Sequence, residues 1–230
     1  MTNPRTLAKP AIGLFAKAPI PGRVKTRLCP PLDATSAARL YAAFLSDIAA
    51  TLDANEIWEW FAMSPEPDAL RDHWPAGAPL PRTFLPQIGK DLGERMAHAL
   101  ALLLEEHPSA ILVGSDHPTL SAHLLTHAVR ALEEADLVLG PTRDGGLYAI
   151  GSKGPVFDLL RGIEWSTKAV FETVAARVRD LRLRTVCLPP WYDVDDAGDL
   201  AFLREHVALL ETQCVSPCPR TRAALKDLGF

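Results

Sequence analysis

Short apolar runs alternate with amphipathic stretches from Ala11 to about Leu210, and that alternation restricts the chain to one class of fold. The runs at 11–16 (AIGLFA), 56–63 (EIWEWFAM), 82–85, 110–113 (AILV), 137–139 and 182–188 have the length of strands. Between them the spacing predicts helices over 34–52, 87–105 and 121–134. Short pieces lie near 69 and over 155–160, and two more helices, the first capped by Ser166, end near Asp180 and Leu210. Leu40, Phe44, Ile48 and Leu52 make the apolar stripe of the first helix, and Leu92, Met96, Ala99 and Leu103 that of the 87–105 helix. Strand-helix alternation without internal repeats means an α/β layered fold, with a mostly parallel sheet covered by helices on both faces. We expect one domain over residues 1–210 and a peripheral C-terminal tail over 211–230, with a short helix from Thr221.

The run Ala110–Val113 is closed by Gly114, and Asp116 follows at once, ahead of Pro118 and a helix capped by Ser121. A carboxylate just past the carboxyl end of a central strand lies where open α/β sheets bind ligands. Taken alone, Asp116 is as well explained as a turn residue. Other stretches add weight to the ligand. After the first strand comes a loop with four cations, Lys17, Arg23, Lys25 and Arg27, and no acid between Lys17 and Pro31. Solvated charge runs mix signs, whereas an all-cationic loop suits an anion, with Arg making forked contacts and Lys point contacts to phosphate. Gln87, at the exposed start of the 87–105 helix, is grouped with these four as a nucleotide-side residue. Twelve of the twenty prolines cluster at 19–31, 65–86 and 189–190, the mark of long shaped loops.

Acids gather after three strands: Asp116, Asp144, and the pair Asp193 and Asp195. Carboxylates and cations sharing a cleft neutralise each other unless a divalent metal and a diphosphate lie between them. Mg²⁺ or Mn²⁺ needs only one or two protein carboxylates beside phosphate oxygens and water. Asp116 and Asp195 are the first choices as ligands and Asp193 the next; neither of the first two has a basic neighbour close in sequence. Asp196 reads as a helix-start residue. Asp144-Gly145-Gly146 between two apolar runs is a hairpin turn. A hairpin does not need Arg143 or Tyr148, so Asp144 and Tyr148 become candidates for the catalytic, acceptor side.

The net charge of −4 argues against nucleic acid as a partner, and no run approaches the roughly 18 apolar residues of a membrane span. Residues 1–10 lack the apolar centre of a signal peptide, so a cytoplasmic location is expected. Cys214 and Cys218 form a lone C-x₃-C without a second pair at zinc spacing, so free thiols are expected.

The segments 14–28 (LFAKAPIPGRVKTRL), 87–96 (QIGKDLGERM), 114–120 (GSDHPTL), 140–151 (GPTRDGGLYAIG), 165–167 (WST) and 191–200 (WYDVDDAGDL) together resemble a known family. It is a bacterial family of GT-A-fold transferases in the nucleotide-diphospho-sugar transferase superfamily, of the arsenosugar-biosynthesis glycosyltransferase type. The resemblance covers about residues 11–205. It implies a single Rossmann-like GT-A domain with a mixed sheet, a nucleotide pocket near the first loop, and a divalent metal at Asp116. Lys25-Thr26-Arg27-Leu28 also resembles the phosphate loop of guanylyltransferases that act on 2-phospholactate-type acids, although Lys17-Ala18-Pro19 stands where their glycines would be. The expected activity is therefore transfer from a nucleotide-activated donor, a nucleotide sugar, to a small-molecule acceptor. Nucleotidyl transfer to a small phosphorylated acceptor is the alternative, and a nucleotide-binding protein without turnover is the lesser one. A homodimer is compatible with the sequence.

Overall fold

A computed structural model describes residues 8–212 and 218–230. The first strand, β1 (Ala11–Phe15), is an inner strand of a seven-stranded sheet. The others are β2 (Glu59–Ser64), β3 (Phe84–Pro86), β4 (Ala110–Gly114), β5 (Leu137–Pro141), β6 (Leu147–Ser152) and β7 (Thr185–Cys187). Their order across the sheet is β3-β2-β1-β4-β6-β5-β7. All pairings are parallel except those of β6, which runs antiparallel to both β4 and β5. The Asp144-Gly145-Gly146 hairpin is therefore present, with Leu139 opposite Ile150.

Eight helices, among the described residues, cover the two faces. On one face α1 (Ala34–Asp53), α4 (Ala122–Glu134), α7 (Ala197–Thr212) and α8 (Pro219–Asp227) pack on Ile12, Leu14, Ile111 and Val113. On the other, α3 (Leu92–Leu104), α5 (Phe157–Leu160) and α6 (Val170–Asp180) pack on Ala11, Ala110 and Leu112. Both sides of β1 and β4 are thus buried, which is why these strands read as unbroken apolar runs. The expected stripe of α1 is entirely inside, each of Leu40, Phe44, Ile48 and Leu52 contributing about 1.5–3 kcal/mol of burial.

Several boundaries differ from the sequence expectation. The helix expected from Gln87 begins only at Leu92, where the Asp91 carboxylate caps the Glu94 amide, and 87–91 are loop. Ser166 is not a helix cap: its backbone is left-handed (φ 65°), and α6 starts four residues later after Ala169. The short helix near 69 is α2 (Pro67–Asp72). Of the C-terminal stretch, α8 lies along α1, and the buried Asp47 carboxylate accepts the Arg220 and Thr221 amides at 3.0 and 2.7 Å. Burial pushes the Asp47 carboxyl up despite these two bonds. Cys214 lies outside the described residues, while Cys218 is free and its thiol is pushed up to about 12 by burial. No described helix is long and apolar enough to cross a membrane.

Candidate active site

The carboxyl ends of β1 through β5 and of β7, with the start of β6, share one edge of the sheet. Between β1 and β4 the winding reverses, so the loops that leave these two strands diverge and open a crevice. The cationic loop after β1 and Asp116 after β4 flank that crevice. The loop after β7 brings Asp193 and Asp195 to it.

Lys25 stands at the convergence. Its backbone is left-handed (φ 49°, ψ 37°), which costs a non-glycine residue about 1 kcal/mol or more, and its side chain is only 4% exposed. The ammonium donates to the Val194 carbonyl at 2.7 Å, to Asp195 Oδ1 at 2.9 Å and to Asp116 Oδ1. A lysine has three N–H donors, and here all three have partners. Burial alone pulls the Lys25 pKa down, but Asp116 and Asp195 more than reverse this and leave it raised. For Asp116, burial pushes the carboxyl up, and Lys25, then His117 and Lys17, outweigh it, so it lies below the usual carboxylate range. The ammonium itself joins Asp116 to Asp195. No gap for a cation separates those two inner oxygens, so a cation held by Asp116, Asp195 and a donor diphosphate, as expected from the sequence, would have to use their other oxygens.

The four loop cations divide into two pairs. Lys25 is internal, and Arg23 turns aside to Glu66 at 2.6 Å. Arg27 is 72% exposed and reaches Asp195 Oδ2 at 2.6 Å. Lys17 is exposed beside Asp116, and its backbone N–H donates to the Tyr41 hydroxyl at 3.1 Å. That hydroxyl lies 2.7 Å from Ser115 Oγ, so α1 ties the first loop to the end of β4. Gln87 does not extend its amide N–H into the crevice. Nε2 donates to the Met63 carbonyl at 2.8 Å and fastens the β3 loop to β2.

On the opposite wall Asp144 is exposed. Its Oδ1 accepts from the Thr142 hydroxyl and from the Gly146 amide at 3.0 Å, leaving Oδ2 open. Gly145 (φ 93°) presses on the Lys168 backbone so closely that no side chain fits, which docks this turn against the start of α6. Asp193 is half-buried and has no ion-pair partner among the described residues. Burial, then Asp144, Asp195 and Asp199, pushes its carboxyl up to about 6. Asp196 is the helix-start residue expected, accepting the Gly198 amide at 2.7 Å and the Asp199 amide at 3.1 Å.

Tyr148 is a correction. It is 1% exposed, its ring fills the space over Gly140 where a Cβ would come within 2.5 Å, and its hydroxyl donates to the Pro189 carbonyl at 3.1 Å. An acceptor cannot reach it, so Tyr148 is a wall of the core. Tyr148→Phe is expected to lose about 1 kcal/mol of stability and to keep full turnover. A large fall in kcat with an unchanged melting temperature would return it to the reaction.

Sequence reasoning missed His117 and Thr119. His117 Nδ1 donates to the Tyr192 carbonyl at 2.9 Å, and burial pulls its pKa down, so the ring is neutral with its proton on Nδ1. Thr119 Oγ1 bonds the Tyr192 hydroxyl at 3.1 Å and accepts from Trp191 Nε1 at 3.2 Å; Val194 N–H donates to the Asp116 carbonyl at 3.1 Å. These bonds sew the β4 loop to the β7 loop and set the distance between Asp116 and Asp195. The signal in the sequence was the placing of polar His117-Pro118-Thr119 and aromatic Trp191-Tyr192 beside two of the acids.

Among the described residues no three His, Cys, Asp or Glu side chains form a closed cation cage. The donor set still fits a magnesium-type ion, which is satisfied by one or two carboxylates and completes its shell with phosphate and water. The Asp116 side chain is 42% exposed and, among the described residues, its second oxygen has no hydrogen-bond partner and Asp193 no ion-pair partner.

Residues 48–167 match the family described as uncharacterized protein conserved in bacteria (DUF2064). The chain belongs to this family. Among solved structures it is similar to a protein of Desulfovibrio desulfuricans G20 provisionally named a nucleotide-diphospho-sugar transferase. The two are 32% identical over 96% of this chain and 95% of the other, with a TM-score of 0.86. More distant is the 4-diphosphocytidyl-2C-methyl-D-erythritol synthase of Anaerococcus prevotii DSM 20548, at 12% identity over 87% and 96% of the chains, TM-score 0.56. The manganese complex of Rv0371c from Mycobacterium tuberculosis H37Rv is 16% identical over 87% and 100%, TM-score 0.51. The last two show a common fold. No functionally curated protein matches the sequence. The DUF2064 chain thus has the expected fold, a Rossmann-like GT-A domain with a mostly parallel mixed sheet.

Proposed function

We propose that this DUF2064 protein is a transferase that uses a nucleotide-activated donor and a divalent cation, and that its reaction is glycosyl transfer from a nucleotide-diphospho-sugar. One observation carries the proposal: at the crevice of the sheet, two carboxylates joined by a buried lysine stand beside exposed cations. Lys17 and Arg27 are the groups available to donor phosphates: Lys25 is enclosed, Arg23 turns aside to Glu66, and Arg27, though paired with Asp195, is 72% exposed beside the crevice acids. Two such cations suit a diphosphate better than a triphosphate, which favours sugar transfer. The name given to the Desulfovibrio protein supports the same reading, and the manganese of the Rv0371c complex supports a divalent cation. Asp116 through its outer oxygen, with Asp193 and Asp195, would hold that cation. When bound, it would neutralise charge on the departing diphosphate.

The chain's own residues supply the rest. Lys25 keeps Asp116 charged and holds Asp116 and Asp195 together at the crevice. Asp144 offers Oδ2 as the group to take the proton of an acceptor hydroxyl, provided the acceptor brings it within hydrogen-bond distance. Nucleotidyl transfer is the second reading, favoured by the exposed Arg27 within the Lys25–Leu28 segment.

The products separate the two. A panel of nucleotide sugars and nucleoside triphosphates, with Mg²⁺ or Mn²⁺ and candidate acceptors, is expected to yield nucleoside diphosphate. Pyrophosphate would mean nucleotidyl transfer, and neither product from any donor would leave only a binding protein. Lys17→Met and Arg27→Met are each expected to weaken nucleotide binding by about 1.5–3 kcal/mol in calorimetry. Asp144→Asn should lower turnover by a factor of about 10² or more; full turnover would remove the base and leave a hairpin turn.

A further inference from the structure

We propose that Arg27 is a gate that couples cation binding to donor binding, by covering one oxygen of Asp195 until a phosphate draws it away. The coupling presupposes the donor-binding function proposed above and adds an order to it.

Asp195 is held from three sides, and only one of them can move. Its backbone N–H is fixed on Asp199 Oδ2 at 2.9 Å. Its Oδ1 is fixed on Lys25, whose ammonium is enclosed and fully partnered. Its Oδ2 is covered by Arg27 at 2.6 Å, and that side chain is 72% exposed, with Asp195 its sole ion-pair partner among the described residues. Arg27 rides on a 3₁₀ turn, Thr26–Leu28, whose Leu28 is wholly buried. The backbone is anchored and the side chain is free to swing.

A cation approaching Asp195 Oδ2 therefore meets a like charge in contact with its ligand atom. An exposed arginine–carboxylate pair is held weakly against water, whereas a diphosphate offers the guanidinium two or more forked contacts and a higher charge. Movement of Arg27 onto the donor would uncover the oxygen beside the phosphates, where the cation has its other ligands. By linkage, donor and cation then strengthen each other by the same factor, commonly between about 5- and 150-fold. Arg23, the neighbouring loop cation, makes a similar exposed pair at 2.6 Å, but with Glu66, which is not one of the crevice acids.

The test measures Mn²⁺ binding by electron paramagnetic resonance at about 0.15 M ionic strength. Wild type, Arg27→Met and Arg23→Met are compared, each with no nucleotide and with UDP, GDP, CDP or ADP. Melting temperatures of both variants check the fold, which these exposed side chains should not disturb. In wild type we expect at least one nucleoside diphosphate to tighten Mn²⁺ binding about fivefold or more. Without nucleotide, Arg27→Met should bind Mn²⁺ about fivefold tighter than wild type, while Arg23→Met should not differ. If Arg27→Met binds no tighter, or if Arg23→Met tightens equally, the gate is overturned while donor binding stands. If no nucleoside diphosphate binds wild type in calorimetry, with or without Mn²⁺, the gate and the donor-binding function fall together.

Discussion

Lys25→Met is expected to melt about 6–12 °C below wild type. The variant removes the one ammonium between Asp116 and Asp195 and leaves two carboxylates facing each other around an apolar stem. Taking one partner from a buried pair costs about 3–5 kcal/mol; the lower end applies here, because Asp116 and Asp195 are partly open to water. In a chain of this size each kcal/mol is worth about 2–4 °C. Nucleotide binding should be lost as well, though indirectly. Adding Asp195→Asn to the variant should recover part of the melting temperature by relieving the repulsion. A Lys25→Met protein that melts like wild type and only binds nucleotide less tightly would make Lys25 a phosphate contact after all. The bridge is insensitive to moderate pH. Asp116 is held below 3.8, so its contribution is present above that value and is lost as pH falls through its lowered pKa. Lys25 is held above 10.5, so its contribution is present below that value and is lost as pH rises past it.

Asp193→Asn should have the opposite sign and stabilise the protein at neutral pH. Burial first, then Asp144, raises the Asp193 carboxyl from 3.8 to about 6. An acid whose folded pKa is raised carries its full penalty above that pKa, and sheds it as pH falls toward the unfolded value. At pH 7.5 the variant is expected to be about 1–2 kcal/mol more stable, a figure reduced for solvent screening around a half-buried group. Near pH 4 the two proteins should coincide. Urea midpoints at pH 7.5 and 4.5 decide it: equal midpoints at both values would mean that Asp193 is solvated and bears no strain. A charge that destabilises its own fold fits a group kept for a ligand, and saturating Mn²⁺ with a nucleoside diphosphate should reverse the order of the two proteins.

Much of the architecture was legible from local pattern. Each of Ala11–Phe15 and Ala110–Gly114 is apolar on both sides because helices cover both faces, and that can be read from a run of five residues. The α1 stripe, the Asp-Gly-Gly hairpin and the Ser121 cap are likewise set by neighbours within four residues or so. Local pattern failed at Ser166 and at the start of α3. At α3 the helix waits for Asp91, whose carboxylate caps the Glu94 amide, and at Ser166 a capping residue type stands in a left-handed backbone instead of starting a helix.

Which side chains are spent internally was not legible at all. By itself the sequence determined that four cations follow the first strand and that acids follow three others, and hence that opposite charges meet at one edge of an α/β sheet. Only the tertiary structure decided their partners: Lys25 for Asp116 and Asp195, Arg23 for Glu66, Tyr148 for the core, and Arg27 for a carboxylate it can leave. The reason is physical. Strand and helix formation depend on side chains a few residues apart, whereas a hydrogen bond or ion pair depends on ångström distances between residues 168 to 170 apart in the chain, as for Arg27, Lys25 and Asp195.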